Sequence, residues 1–243
     1  MRHTPDVEFM RELESDFVRK CLRGVNDPGC YKIWYSGISP CTVLFLGNNP
    51  AGDPSNYLTA TLPYTEWGHD FLEYEHDRRY RLANGAMRFL RRLVGTAGNA
   101  ADEFVRRIPI SNVCFIRMQD SRKLDESAHE SCRPFVLRMI RCVDPVVIVA
   151  MGDCAYTQVE RIIKDAQFRE NPDRYVRTAN GAAPAALYRS YDVVGPPSAR
   201  VRKVLRVAHL SKFGLGRDSD WAIAYRNLDR DLEDAGLRPF ELN

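Results

Sequence analysis

Four short runs of apolar residues occur along the chain, at residues 43–46, 108–116, 146–150 and 204–208. Runs of this length, separated by segments with helical spacing, are typical of buried strands in a largely parallel sheet. The pattern predicts one α/β domain over residues 1–243, a three-layer α/β/α sandwich with a central, mainly parallel sheet of about four strands. An α/β barrel would need eight strands.

Apolar residues at helical spacing predict three amphipathic helices, near the N terminus, before the third strand and near the C terminus. The three stripes are Phe9, Leu13, Phe17 and Cys21; Ala128, Cys132, Val136, Met139 and Val143; and Trp221, Tyr225, Leu228 and Leu232. Gly236 is a suitable residue to end the last helix. Residues 52–81 and 168–202 are long for connections in this architecture, and such loops are often functional.

In open α/β sheets, ligands bind beyond the carboxyl ends of the strands. The first apolar run ends in Gly47-Asn48-Asn49-Pro50, and the fourth ends in His209-Leu210-Ser211. Each segment also has an ordinary interpretation, as a strand-ending turn and as a hydrogen-bonded structural histidine. An amide and an imidazole at two strand ends of one sheet can nevertheless face the same crevice.

These segments resemble the two motifs of the uracil-DNA glycosylase superfamily, especially its mismatch-specific and single-strand-selective branches. Ser111-Asn112-Val113 and the stretch that follows it are similar to the iron–sulfur branch, and the resemblance is strongest over residues 111–155. Two features differ. Leu210 stands where the second motif has proline, and only Cys132 matches the four cysteines of the iron–sulfur branch. We therefore expect neither a cofactor nor a metal.

The resemblance implies a monofunctional DNA glycosylase, a hydrolase that flips a damaged, deaminated or modified pyrimidine out of DNA and leaves an abasic site. Hydrolysis of the bond to the sugar builds positive charge on the deoxyribose and negative charge on the departing base. By resemblance, Asn49 holds the attacking water and His209 stabilises the leaving base. Asp53 is a third catalytic candidate, although a loop aspartate more commonly caps a turn.

The family's base-recognition asparagine corresponds to Asn112, whose ordinary alternative is a buried amide that satisfies backbone groups in the sheet. A flipped base also needs a flat surface to stack on. The first long loop supplies four candidates for that base-binding role: Tyr57, Tyr64, Trp67 and Phe71. The sequence does not distinguish among them.

The segment after the histidine is expected to contact DNA. In the family, an apolar side chain from this segment fills the space that the base vacates, and Phe213 or Leu215 has the composition for that wedge. Polar and basic neighbours suited to phosphate contacts are Ser211, Lys212 and Arg217. Burial of the two apolar residues against the last helix is the alternative.

Composition adds little about partners. The formal charge is only +3, so a surface for double- or single-stranded DNA depends on where the basic residues lie. No apolar segment approaches the length that spans a bilayer, and the seven cysteines do not form a dense disulfide framework. We expect a cytoplasmic monomer with no membrane partner.

Two questions stay open from sequence. The substrate base is either uracil, in DNA repair, or a bulkier modified cytosine of viral DNA, in antiviral defence. The alternative outside this class is a non-catalytic nucleic-acid-binding protein with the same fold, suggested by Asn49 in place of a carboxylate and by Leu210. A hydrolase of small nucleosides is more distant, because the wedge-like loop would then have no role.

Overall fold

The computed structural model describes residues 6–23, 30–50, 72, 81–95, 99–118, 124–164, 166–178, 186–194, 200–210 and 218–237. Six helices and seven strands lie within these residues. In chain order they are α1 (Val7–Cys21), β1 (Val43–Gly47), α2 (Arg81–Val94), α3 (Asn99–Arg106), β2 (Ile110–Asn112), α4 (Glu126–Val143), β3 (Val147–Met151), α5 (Asp153–Ile162), β4 (Gln167–Glu170), β5 (Val176–Arg177), β6 (Ala186–Val194), β7 (Lys203–Val207) and α6 (Asp218–Asp234). A short 3-10 helix, Pro172–Arg174, precedes β5.

The strands form one mixed sheet in the order β2-β1-β3-β7-β6-β4, with β5 also paired to β6. The four strands predicted from the apolar runs are β1, β2, β3 and β7, and they are parallel to one another. The other three pairings run antiparallel, all through β6. The α/β class is therefore confirmed, but the sheet is not mainly parallel and has seven strands rather than about four.

The missed strands lie within residues 166–194, most of which the sequence pattern assigns to a loop. Strand β6 carries Arg189 and Asp192, and β4 is largely exposed. Neither therefore forms an apolar run, because only strands covered on both faces are hydrophobic throughout.

The two faces of the sheet pack against different helices. Side chains alternate along β1, so that Val43 and Phe45 pack with α2, α3 and α6, whereas Leu44 and Leu46 pack with α1, α4 and α5. Strands β1, β3 and β7 are buried over their whole length. This burial is expected for parallel strands covered on both sides.

The three predicted helical stripes lie on α1, α4 and α6. Asp6 caps α1 by accepting a hydrogen bond from the Phe9 amide at 2.9 Å, and Asp125 caps α4 in the same way. Gly236 follows α6 with φ +77°, the left-handed conformation that favours glycine after a helix. No helix in the described ranges is long and apolar enough to cross a membrane.

A buried ionic cluster joins the antiparallel strands to α6. The Lys203 ammonium on β7 lies 2.7 Å from a carboxylate oxygen of Asp192 and 3.2 Å from one of Asp231, which is fully buried. The Tyr188 hydroxyl donates to the other Asp231 oxygen at 2.7 Å. Burial by itself lowers the pKa of Lys203, but the two carboxylates outweigh it and raise that pKa. The cluster fixes β6, β7 and α6 relative to one another.

Candidate active site

The motif segments meet at one edge of the sheet, where the parallel strands end. Gly47 at the end of β1 pairs in register with Asn112 at the end of β2, and Met151 of β3 pairs with Val207 of β7. Neighbouring strands lie about 4.8 Å apart, so the end of β7 is roughly 14 Å from Asn112 across three strand spacings. His209 follows two residues after the end of β7. The rim therefore carries all three motif segments.

The Asn112 amide lies directly over Gly47. A Cβ atom added to Gly47 would lie only 2.3 Å from the Asn112 side-chain oxygen and 3.3 Å from the methyl carbon of Met151. Only glycine leaves room for the amide at this register position. A glycine that closes an otherwise bulky apolar strand was the sequence signal for this close approach.

Two buried polar atoms near this rim have no hydrogen-bond partner among the described residues. One is the amide nitrogen of Asn112, whose residue is 5% exposed, and the other is the side-chain oxygen of Asn48. An unsatisfied buried polar group costs about 1–3 kcal/mol. A ligand with an acceptor for Asn112 and a donor for Asn48 would offset that cost. Asn48 was not among the predicted site residues.

Asn49 is held in place by its own amide group. The amide nitrogen donates to the carbonyl oxygens of Pro50 at 3.0 Å and Met118 at 3.4 Å. The Asn48 amide donates to the Asn49 side-chain oxygen at 3.3 Å. A carbonyl oxygen accepts two hydrogen bonds, so this oxygen keeps capacity for one further donor, such as a water molecule.

Backbone hydrogen bonds continue the β1–β2 pairing beyond the strand ends. The amides of Val113 and Cys114 donate to the carbonyls of Gly47 and Asn48, both at 2.9 Å. The amide of Met118 donates to the Pro50 carbonyl at 3.3 Å. The turn that carries Asn49 is thus tied to the segment that follows Asn112.

The histidine segment is anchored by its neighbour. His209 is exposed, whereas Leu210, which stands where the motif that this segment resembles has proline, is fully buried. A Cβ atom on Gly85 of α2 would lie 2.2 Å from the Leu210 carbonyl oxygen. Helix α2 therefore contacts the backbone at Leu210 and fixes the position of the residue before it.

Two buried cations lie close to the segment after β2. Lys32 and Arg117 are both at least nine-tenths buried, and the Lys32 ammonium lies 4.7 Å from the centroid of the Tyr35 ring. Burial lowers the pKa of Lys32 to about 7, and the charge of Arg117 contributes. Arg117 directly precedes Met118, whose carbonyl accepts from Asn49. The sequence pattern did not single out either cation.

Several predicted site residues lie outside the described residues, so their roles stay predictions. They are the catalytic candidate Asp53, the aromatic candidates Tyr57, Tyr64, Trp67 and Phe71, and the DNA-contact candidates Ser211, Lys212, Phe213, Leu215 and Arg217. Of the predicted catalytic and base-binding residues, the described ranges contain Asn49, Asn112 and His209.

Cys132, the cysteine that resembles a ligand of the iron–sulfur branch, lies beside another cysteine. The Cys132 sulfur lies 3.9 Å from that of Cys114, and both residues are buried. Among the described residues, no group of three or more His, Cys, Asp or Glu side chains is arranged to hold a metal ion.

Comparison with protein-family models and with curated proteins finds no match to this chain. The interpretation of the rim therefore depends on its own residues and on the motif resemblance described above. The rim carries the side-chain amides of Asn48, Asn49 and Asn112 and the imidazole of His209. The Asn49 oxygen keeps capacity for one further donor. Groups of this kind orient water, donate hydrogen bonds to a developing anion and read the edge of a base.

Proposed function

We propose that the protein is a monofunctional DNA glycosylase that hydrolyses the bond between a pyrimidine base and its deoxyribose. The observation that carries the proposal is the buried amide of Asn112. Its nitrogen is unsatisfied among the described residues and lies at the ligand-binding edge of the sheet, next to the Asn49 turn. A buried donor without a protein partner at such an edge is suited to a ligand.

The two unsatisfied atoms supply one donor and one acceptor, which a flipped pyrimidine edge would require. A carbonyl oxygen of the base would accept from the Asn112 nitrogen, and a base N–H would donate to the Asn48 oxygen. Enzymes that act on a base inside a duplex must first extrude it from the stack. A base lacking one of these groups would leave a buried amide unpaired and be rejected.

The hydrolytic step follows from the other two motif residues. Asn49 would orient water through its side-chain oxygen while its nitrogen stays bound to Pro50 and Met118. An amide cannot take the proton, so Asn49 acts by positioning, and the proton that the attacking water loses would pass through solvent to the departing base anion. His209 would donate a hydrogen bond to the departing base, and the buried guanidinium group of Arg117, next in the chain to Met118, would add positive potential near the turn.

The proposal extends to fold and setting. The four parallel strands and the helices on their two faces would correspond to the α/β/α sandwich of the uracil-DNA glycosylase superfamily. The protein would act as a cytoplasmic monomer on double- or single-stranded DNA. The substrate base is uracil, in repair, or a bulkier modified cytosine in viral DNA, in antiviral defence.

The test is incubation with oligonucleotides that contain uracil, mismatched thymine or modified cytosines, in single- and double-stranded form. Abasic sites are scored by alkaline cleavage of the strand. One base class should yield abasic sites with the parent protein, and Asn112→Ala should lose or change that preference while remaining folded. If no base in the panel is released at enzyme excess, glycosylase activity on these bases is excluded.

The second candidate is a nucleic-acid-binding protein with the same fold and no chemistry. It is favoured by one observation: the turn at Asn49 presents an amide rather than a carboxylate, and its nitrogen is occupied by backbone carbonyls. If the protein binds the same oligonucleotides in a direct binding measurement but forms no abasic sites, this candidate is selected.

A further inference from the structure

The antiparallel half of the sheet carries a basic surface that the sequence analysis did not identify. It consists of Tyr175, Arg177 and Arg189, which we call the arginine surface. Residues alternate between faces along a strand, so Arg189 lies on the same face as Tyr191. The Tyr191 ring stacks on Tyr156 of α5 at 4.3 Å between centroids. The arginine surface therefore lies on the α5 side of the sheet.

Both guanidinium groups converge on one phenol, that of Tyr175. The guanidinium carbons of Arg177 and Arg189 lie 4.8 and 4.6 Å from the centroid of the Tyr175 ring. Both groups also donate to its hydroxyl oxygen, Arg189 at 3.2 Å. Two like charges on one neutral ring repel each other, and a bound anion would relieve that repulsion.

The guanidinium groups of the arginine surface are only partly neutralised by carboxylates of the described residues. Arg177 forms no ion pair within the part of the chain that the structure describes. Arg189 has Glu170 at 3.8 Å from its Nε, a nitrogen that is buried and has no hydrogen-bond partner among the described residues. The connection between β5 and β6, residues 179–185, contains no charged side chain. The third arginine on this face, Arg206, is already neutralised by a bidentate pair with Asp153.

The register relates this surface to the candidate active site. Val207 pairs with Tyr188, and the Ala208 amide donates to the Leu187 carbonyl at 2.8 Å. Continuing the pairing by one residue brings His209 level with Ala186, which pairs in turn with Arg177. Two strand spacings separate His209 from Arg177, roughly 10 Å. This separation joins the two backbones, and it is short enough for one bound strand to extend from the rim to the arginine surface.

We infer that the arginine surface binds the phosphate backbone of a nucleic acid, a few nucleotides from the base held at the rim. Guanidinium groups bind phosphate oxygens through paired N–H donors, and the fixed positions on Tyr175 reduce the entropy lost on binding. The distance to the flipped base depends on the proposed glycosylase function, whereas phosphate binding itself does not.

The test is the salt dependence of DNA affinity, measured with an unmodified duplex so that no cleavage is required. Each phosphate contact contributes about 0.9 to the slope of log affinity against log salt. Arg177→Gln combined with Arg189→Gln should flatten that slope by about one to two. Arg177→Lys combined with Arg189→Lys should keep most of the slope, because the charge remains.

The matched control is Arg200→Gln. Arg200 is 66% exposed and pairs with Asp144 at the amino end of the parallel strands, opposite the rim. This variant should keep the parental slope. Circular dichroism checks that all variants are folded. If the double variant does not fold, Arg177→Gln alone is measured instead, because Arg177 is exposed, and it should flatten the slope by about one.

Nested truncation of the duplex on each side of a cleavable base tests the distance. The parent should lose affinity at one step of the truncation, when phosphates a few nucleotides away on one side are removed, and the glutamine variant should be insensitive to that step. Parental slopes in the glutamine variants would overturn the inference, and an acidic protein would then be the partner this charge fits. Absence of DNA binding by the parent would overturn it as well.

The same measurements separate this inference from the proposed function. A flattened slope in a protein that releases no base supports phosphate binding and refutes the glycosylase. Cleavage with unchanged slopes supports the glycosylase and refutes the arginine surface.

Discussion

The side-chain oxygen of Asn112 lies 2.3 Å from the position that a Cβ atom of Gly47 would take. That separation is too short for two non-bonded atoms, so the glycine is what leaves room for the Asn112 amide beside β1. The relationship ties the first motif segment to the base-reading residue. A substitution at Gly47 can therefore displace the Asn112 amide without changing Asn112 itself.

Gly47→Ala should displace the Asn112 amide and reduce base release more than it reduces stability. The clashing atom is the far end of a side chain, so the free energy of unfolding should fall by about 1 kcal/mol, at the low end of the cost of overpacking. Base release should approach the level of Asn112→Ala. Single-turnover cleavage and urea unfolding measure the two effects separately. Parental cleavage by a folded Gly47→Ala protein would contradict the proposed role of Asn112.

Gly85→Ala is the comparison variant, since its Cβ atom would meet backbone rather than a side chain. The contact is 2.2 Å from the Leu210 carbonyl oxygen. Backbone yields less readily, so this variant should lose more stability, about 2–3 kcal/mol. Equal losses of stability in the two glycine variants would contradict this distinction.

His209→Ala should slow base release while leaving DNA affinity nearly unchanged. Loss of one hydrogen-bond donor at a site of developing negative charge typically costs about 10²–10³ in rate. Because His209 is exposed, the fold should tolerate alanine. Single-turnover cleavage at saturating enzyme isolates this step.

Asn49→Ala should also slow base release, because water would lose its orientation, whereas Asn49→Asp supplies a carboxylate and should retain more activity than alanine. The aspartate variant loses the donors to Pro50 and Met118, so its melting temperature should be lower than the parent's. If alanine at His209 and at Asn49 both leave the parental rate, the motif resemblance does not identify the active site.

The buried Lys32 should make stability depend on pH. Its pKa is about 7 in the folded protein against 10.5 when unfolded, because burial disfavours the charge. The unfolded chain binds the extra proton between these values, so this group's cost is full below pH 7 and is relieved as the pH rises toward 10.5. Lys32→Met should therefore stabilise the protein most below pH 7, and the gain should shrink at higher pH.

Urea unfolding at several pH values measures that difference, with about 1.4 kcal/mol expected for each unit by which the pKa is lowered. Lys20→Met is the control, because Lys20 lies exposed on α1. A pH-independent gain in the Lys32 variant would show that its charge is compensated in the folded state.

Much of the parallel half could be predicted from the sequence, because burial on both faces makes its strands continuous apolar runs. The antiparallel half could not. Strand β6 pairs Asp192 with Lys203 across the sheet, so this aspartate is neutralised by a contact that no local pattern reveals.

The candidate site divides in the same way. Asn49, Asn112 and His209 lie at or just after the ends of strands, and the pattern of apolar residues along the sequence predicts where those strands end. The unsatisfied oxygen of Asn48 and the buried charge of Lys32 depend on which segments are brought together, since the Lys32 amide pairs with the Phe115 carbonyl 83 positions further along the chain. Sequence spacing carries no signal for such a contact.

Removal of the buried carboxylate of Asp231 should destabilise the fold strongly. Asp231→Ala leaves Lys203 with one carboxylate fewer and the Tyr188 hydroxyl without its acceptor, so a loss of about 3–5 kcal/mol is expected. The matched control is Glu233→Ala on the same helix, whose side chain is exposed and should contribute at most about 1 kcal/mol. Similar losses in the two variants would show that burial of the Asp231 carboxylate beside Lys203 does not stabilise the fold.

The position of β7 between β3 and β6 also determines when the sheet can be completed during synthesis. The ribosome completes β1, β2 and β3 well before it makes the strand that precedes His209, and β7 closes the sheet only after the three antiparallel strands have been synthesised. Pairing of segments so distant in sequence is slow. An emerging polypeptide therefore exposes an open sheet edge on β3 for a substantial part of its synthesis, a period in which chaperone binding or premature association would occur.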